Sequence, residues 1–168
     1  MAMVIAMFVI EIYLIFSMLA VIWFDLTRYI IPNWLVGSLL ALYPLGVWMA
    51  HTGVDWKMAL AGMLLVLVIG YGIFFMKWMG GGDIKLITVC ALWVGWHNLP
   101  EFLVYFTLLG GAMSIGILLL RKAVLWVPQL AGRKLPRILQ DGAPVPYGVA
   151  IATGFLIMLG AGDIPIIR

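Results

Sequence analysis

Apolar residues fill most of the chain in long runs, and the few polar residues fall where those runs end. A helix that crosses a bilayer needs about 20 predominantly apolar residues, with a range of roughly 17 to 25. Six runs reach or approach that length: Met3 to Phe24, Trp34 to Ala50, Met58 to Met76, Ile84 to about Leu99, Phe102 to Leu120, and Tyr147 to about Gly162. The fourth and sixth are short. The pattern predicts an all-α, polytopic integral membrane protein with six transmembrane helices, formed as one membrane-embedded domain over residues 1–168. Within it, the segment 121–146 (RKAVLWVPQLAGRKLPRILQDGAPVP) mixes bases with Leu, Val and Trp. It is expected to lie as a basic amphipathic loop on an anionic lipid leaflet.

Composition strengthens this picture. With 65% hydrophobic and 10% charged residues and a mean hydropathy of +1.16, the chain has too little polar surface to clothe a water-soluble globule. The single cysteine, Cys90, excludes an internal disulfide and zinc motifs built on paired cysteines. The opening MAMVIAMFVIEIYLIF lacks the basic region and small-residue cleavage site of a signal peptide, so it is expected to be the first spanning helix. Ten Lys and Arg residues raise the pI to 9.2, yet in a membrane protein they set topology rather than bind nucleic acid. The loops after helices one, three and five hold Arg28, Lys77, Lys85, Arg121, Lys122, Arg133, Lys134 and Arg137; the other side holds Lys57 and Arg168. Positive residues stay in the cytoplasm, so both termini are expected on the non-cytoplasmic side. Interfacial tryptophans follow the same map, with Trp23, Trp34, Trp78 and Trp126 near cytoplasmic ends and Trp48, Trp56, Trp93 and Trp96 near outer ones.

Two acids then stand out. Asp25 closes the first run in WFDLTRYIIPNW, and Asp83 opens the fourth in GGGDIKL, so carboxylates distant in sequence are expected at one cytoplasmic boundary. Stretching the short fourth run across a bilayer would hold Asp83 close to hydrocarbon, where desolvation raises a carboxyl pKa and a second carboxylate splits the titration of the pair. One proton shared by two carboxyls is the working state of an aspartic protease, which needs no metal or cofactor. The ordinary alternative is that each Asp caps a helix end. Glycine is unfavourable inside a helix by about 1 kcal/mol per residue, so Gly80, Gly81 and Gly82 predict an extended or strained segment that another backbone could approach. A substrate strand could pair there; a tight interhelical turn is the ordinary alternative.

The neighbours carry double readings too. Arg28 and Lys85 could tune the acids, bind a peptide or anchor the membrane face. Pro32 suits the first turn of helix two, and Asn33 could orient a carboxylate or simply start the helix. Glu11 lies about 21 Å from Asp25 along the helix axis and within about 40° of the same face. It is expected to point into the bundle, too far away to share a proton.

At these residues the sequence resembles a known family. Gly80, Gly82 and Asp83, with Gly81 as the free position and Lys85 following, resemble the GxGD signature of membrane-embedded aspartic proteases. Asp25 with Arg28 and the Ile31–Pro32–Asn33 triplet resembles the first-aspartate motif of type IV prepilin peptidases. Pro146, Tyr147, Gly148 and Ala150 resemble that family's Pro-aromatic-Gly-x-Ala motif near the last helix. Presenilin-type GxGD proteases are similar at the second aspartate only. The longer prepilin peptidases carry a cytoplasmic insertion with paired CxxC zinc ligands tied to N-methylation. This chain has neither insertion nor paired cysteines there, so no methyltransferase or zinc domain is expected, and the chain is similar to the short peptidases of tight-adherence (Flp-type) pili.

The resemblance implies a peptidase of the bacterial inner membrane. Its active site would face the cytoplasm, with Asp25 and Asp83 catalytic, and its partners would be prepilins and pseudopilins bearing a short basic leader cleaved after a glycine. A small transporter or channel remains open, since an intramembrane acid and glycine-broken helices suit one; so does a non-catalytic component of a secretion machine. LLGGAMSIG offers close packing through Gly110 with Ser114 and Ala112 with Gly116. His51 and His97 read as polar interface residues rather than metal ligands.

Overall fold

The computed structural model describes residues 2–50, 53–125, 136–140 and 142–167, so His51, Trp126, Arg133, Lys134 and Arg168 lie outside the described residues. Among the described residues there are five α-helices and one 3-10 turn: α1 (Ala2–Arg28), α2 (Asn33–Met49), α3 (Trp56–Phe75), α4 (Gly81–Leu125), the turn at Arg137–Leu139, and α5 (Tyr147–Ala161). Three stretches are long and apolar enough to cross a membrane, Met3–Arg28, Trp56–Phe75 and Gly81–Val124, while α2 and α5 are shorter apolar helices. Their outer faces are apolar as well: Phe16 is 66%, Val68 70% and Leu108 66% exposed. A surface of that kind needs lipid, and the chain reads as a multi-pass membrane protein.

α4 is two helical segments joined at Gly95, whose φ of 76° and ψ of 169° lie outside the helical region. The sequence predicts the break between Leu99 and Phe102. It occurs earlier because only a glycine takes that backbone conformation without strain, and residues 96–101 are already helical. Beyond Gly95 the chain doubles back, so that Leu103, Phe106 and Gly110 line one cavity with Ile84 and Ile87 from the first half. Asn98 braces the reversal by donating to the Asp163 backbone carbonyl.

The first half of α4 is the centre of the bundle. Ile84 and residues 86–94 are buried almost without interruption, which fits a helix that is apolar all round. α3 packs on α4 through buried residues at helical spacing, Ala59, Gly62, Val66 and Gly70, with Gly62 facing Trp96 and Leu99 just past the break. A Cβ on Gly70 would come within 2.7 Å of Ile84 Cγ2. α5 packs on the second half, where a Cβ on Gly154 would meet the Phe106 backbone at 3.2 Å. In that half Gly110 sits against Tyr147 and Ala150, but a Cβ on Gly116 would meet nothing within 4 Å and Ala112 is exposed, so only the first of the two expected small-residue pairs packs. Trp93 also departs from expectation. It is 1% exposed and donates Nε1–H to the Leu39 carbonyl at 3.1 Å, a core residue rather than an interfacial one.

α1 extends one turn beyond the sequence expectation and ends at Tyr29, whose φ of 54° closes the helix. Its buried stripe runs Ile10, Leu14, Met18, Val21 and then Asp25, at spacings of three and four. Glu11 is one position off the stripe and only half-buried, so it does not point squarely into the bundle.

Candidate active site

Asp25 occupies a core position: continuing an apolar stripe makes it 5% exposed. A buried carboxylate requires partners, and they come from the start of α5. Val149 N–H donates to Asp25 Oδ2 at 3.1 Å, and Gly148 N–H donates to the same carboxylate. The first N–H groups of a helix have no intrahelical acceptor and sit at the positive end of its dipole, so this helix start is an anion site. The fit is tight because residue 148 has no side chain. A Cβ there would lie 2.7 Å from Asp25 Oδ2 and 2.9 Å from Ile31 Cδ1.

Asp83 sits at the start of α4, in its first turn. Ile84 N–H bonds to the Gly80 carbonyl at 3.2 Å, which makes Gly80 the cap residue, and Gly80 N–H donates back to the Asp83 carboxylate. This is the acidic half of a capping box. The glycines therefore differ from expectation: Gly81 and Gly82 are helical, and none of the three has positive φ. Close approach matters at Gly80, where a Cβ would reach 3.0 Å from Asp83 Oδ2, whereas one on Gly82 would meet Ile31 at 3.5 Å, an ordinary contact.

The two acids open into one cleft of about 870 Å³, bounded by the end of α1, the end of α3 and the starts of α4 and α5. They are near enough for the Asp25 charge to act on Asp83. Gly80, Gly81, Gly82, Asn33, Lys85 and Tyr147 line the same cleft. Lys85 Nζ donates to Asn33 Oδ1 at 3.1 Å, so this pair bridges α4 to α2. Pro32 caps α2 from just outside its first turn, and Pro146 does the same for α5. Arg28 stands away from the cleft, exposed, with its guanidinium 5.4 Å from the Phe24 ring centroid.

Several cleft residues carried no signal in the sequence reading, Tyr29, Ile30, Phe74, Phe75, Met79, Pro144 and Val145, and Lys77 was read only as a topological base. They come from helix ends and loops whose convergence no local pattern reveals. Trp78, read only as an interfacial residue, lines the cleft too. Arg121 is also more than a topological base. Its Nε and Nη2 donate to the carbonyls of Ile138 and Ala143 at 2.9 and 2.8 Å, tying the descending loop to α4. From that loop the Arg137 guanidinium lies 5.0 Å from the ring of Tyr29.

The sequence profile of the type IV leader peptidase family matches residues 12–115, a span that holds both acids and ends before α5. Prepilin leader peptidase/N-methyltransferases of Aeromonas hydrophila, Aeromonas salmonicida (strain A449) and Pseudomonas aeruginosa are 33%, 32% and 31% identical over 85 residues. That stretch is 51% of this chain and 24% of each relative, so the match spans about a quarter of their length. No solved structure matches the chain.

Proposed function

The chain belongs to the type IV leader peptidase family, and we propose that it is a membrane aspartic endopeptidase that removes the short basic leader from Flp-type prepilins and pseudopilins. The observation that carries this reading is the meeting of Asp25 and Asp83, 58 residues apart in sequence, in one cleft at one end of the bundle. Asp25 accepts two backbone N–H groups, which suits the ionised form, and it takes a proton from the attacking water. Asp83 carries the shared proton and donates it toward the scissile carbonyl as the tetrahedral centre forms. No metal or other cofactor enters this chemistry. Tyr147, at the cleft wall, and the Lys85–Asn33 bridge hold the peptide's flanks.

An apolar cavity of about 420 Å³ between α3 and the second half of α4 adjoins the cleft through the shared residues Trp78, Met79 and Tyr147. It receives the apolar segment that follows the cut, while the leader stays in the cleft. This reading counts six crossings, with α4 taken twice about Gly95, and has the cleft face the cytoplasm from the inner membrane; the gathering of most Lys and Arg residues at the cleft end of the sequence map supports it. Of the expected basic loop over 121–146, residues 121–125 continue α4 and 126–135 lie outside the described residues; Lys122 and Arg137, which are described, suit an anionic leaflet at that end. Only residues 29–32 separate α1 from α2, which supports a single peptidase domain without N-methylation.

The test is co-expression of an Flp-type prepilin with wild type, Asp25→Asn or Asp83→Asn, read as a mobility shift with membrane levels checked. Wild-type cleavage lost in both variants supports the reading. Processing by either variant at the wild-type rate overturns it.

A further inference from the structure

Tyr29 and Lys77 are the two non-glycine residues with positive φ among the described residues, and both line the Asp25–Asp83 cleft. A left-handed backbone is unfavourable for a residue with a side chain, and strain of this kind gathers at functional sites. At Tyr29 a second observation shows what the ring can do, because a cation already sits on it. The Arg137 guanidinium lies 5.0 Å from the ring centroid, brought there by the loop that Arg121 ties to α4 through the carbonyls of Ile138 and Ala143. Tyr29 is half-buried and Arg137 is exposed, so the ring stays fixed while the guanidinium can leave it by a rotamer change, with the loop still latched.

The cleft lining favours an aromatic site for a cation. Among the described residues, the acids that line it are Asp25 and Asp83. A substrate cation paired with either would hold it ionised and end the sharing of one proton. Five aromatic rings line the same space, from Tyr29, Phe74, Phe75, Trp78 and Tyr147. An aromatic face attracts a cation through its quadrupole and brings no carboxylate to titrate. Phe74 and Phe75 pack on each other at the end of α3, close to the positive charge of Lys77. Tyr29 instead follows Asp25 by one helical turn, its N–H bonding to the Asp25 carbonyl at 3.0 Å, so a cation on its ring comes from a substrate residue close to the cut.

We propose that the Tyr29 ring is the subsite for a Lys or Arg side chain of the leader, and that Arg137 holds this place until substrate displaces it. The subsite rests on the leader-peptidase reading and adds to it the group that recognises the leader's charge. Arg137 seated on the ring lowers the fraction of protein ready to bind, and so weakens the apparent affinity for a basic leader. A leader without a cation gains nothing from the ring, which makes Tyr29 a specificity-determining residue.

The full chain, purified in nanodiscs, is given an Flp-type prepilin with its basic leader and the same prepilin with the leader Lys and Arg residues changed to Gln, and kcat and KM are measured for each. Tyr29→Gly removes the ring at a position whose backbone glycine adopts freely. It should raise KM about 3- to 10-fold on the basic leader and leave KM on the Gln leader unchanged, with kcat nearly constant on both. Tyr29→Phe, which keeps the ring, should retain most of the discrimination between leaders. Arg137→Ala should lower KM on the basic leader several-fold, and that gain should vanish in the Tyr29→Gly background. Equal losses on both leaders in Tyr29→Gly would overturn the subsite, because a merely structural role does not distinguish charge. So would an Arg137→Ala gain that persists without the ring, which is bulk charge repulsion, or an unchanged or raised KM in Arg137→Ala alone, a result that decides the matter even where Tyr29→Gly fails to accumulate. If wild type cleaves neither prepilin, the leader-peptidase reading falls and the subsite with it; wild-type cleavage with equal losses strikes the subsite alone.

Discussion

Replacing Gly148 by alanine adds one methyl group at the tightest point of the candidate active site. The new Cβ would stand 2.7 Å from Asp25 Oδ2, 3.0 Å from Asp25 Cγ and 2.9 Å from Ile31 Cδ1. Ordinary van der Waals contact requires the carboxylate to retreat by about 0.7 Å. Asp25 belongs to a buried stripe and cannot simply swing into solvent, so its 3.1 Å bond from Val149 N–H is stretched or α5 is pushed outward. Overpacking of this kind costs about 1–3 kcal/mol. Displacing a catalytic group by nearly 1 Å lowers the rate by up to about 100-fold. Gly148→Ala should therefore accumulate in membranes yet cleave prepilin about 10- to 100-fold more slowly than wild type, in a time course with purified protein. Gly37→Ala is the control, because a Cβ there meets nothing within 4 Å and alanine favours the helix by about 0.5–1 kcal/mol. Cleavage by Gly148→Ala at the wild-type rate would show that Asp25 does not depend on the start of α5.

Asp25→Asn and Asp83→Asn should each reduce cleavage by at least about 100-fold at unchanged abundance, the scale of lost acid–base catalysis. In the proposed mechanism only the singly protonated pair is competent, so kcat/KM of the wild type should be bell-shaped in pH; a flat profile across the acidic and neutral range would count against proton sharing. Asn33→Ala removes the acceptor that holds Lys85 Nζ, and should raise KM several-fold with kcat nearly unchanged; equal losses in both would instead make the bridge part of the chemistry. Arg121→Ala removes two bonds worth about 1.5–3 kcal/mol each, so trypsin should cut at Arg137 faster than in wild type. Lysine at 121 should rescue poorly because it lacks the forked donor geometry.

Much of this was legible in the sequence because a bilayer enforces simple patterns. Long apolar runs gave helices, and the two acids at run ends fell at one end of the bundle as the topology predicts. What was hidden depended on tertiary approach. Glycine's average cost in a helix suggested that residues 80–82 were extended, but that cost applies to a helix interior, and at the first turn Gly80 instead admits the Asp83 carboxylate. Trp93 looked interfacial from its place near a run end, yet the doubling of α4 at Gly95 moves it to the core. Cleft residues such as Tyr29 and Val145 carry no local signature, since their role arises only when four helix ends converge.

The pairing of both acids with helix-start N–H groups follows from the cost of charge near hydrocarbon. A carboxylate at such depth must be met by donors, and side-chain cations would pair with it directly and compete with a shared proton. Backbone N–H groups at a helix start meet the charge without carrying a titratable proton themselves. Asp83 uses the start of its own helix, through Gly80. Asp25 lies at the end of α1, where the dipole has the wrong sign for an anion, so it must borrow the start of another helix, α5. This requirement links three sequence-distant segments physically: the α1 stripe that buries Asp25, the GGGD turn that caps Asp83, and the Pro146–Tyr147–Gly148 start that reaches Asp25 with no side chain in the way.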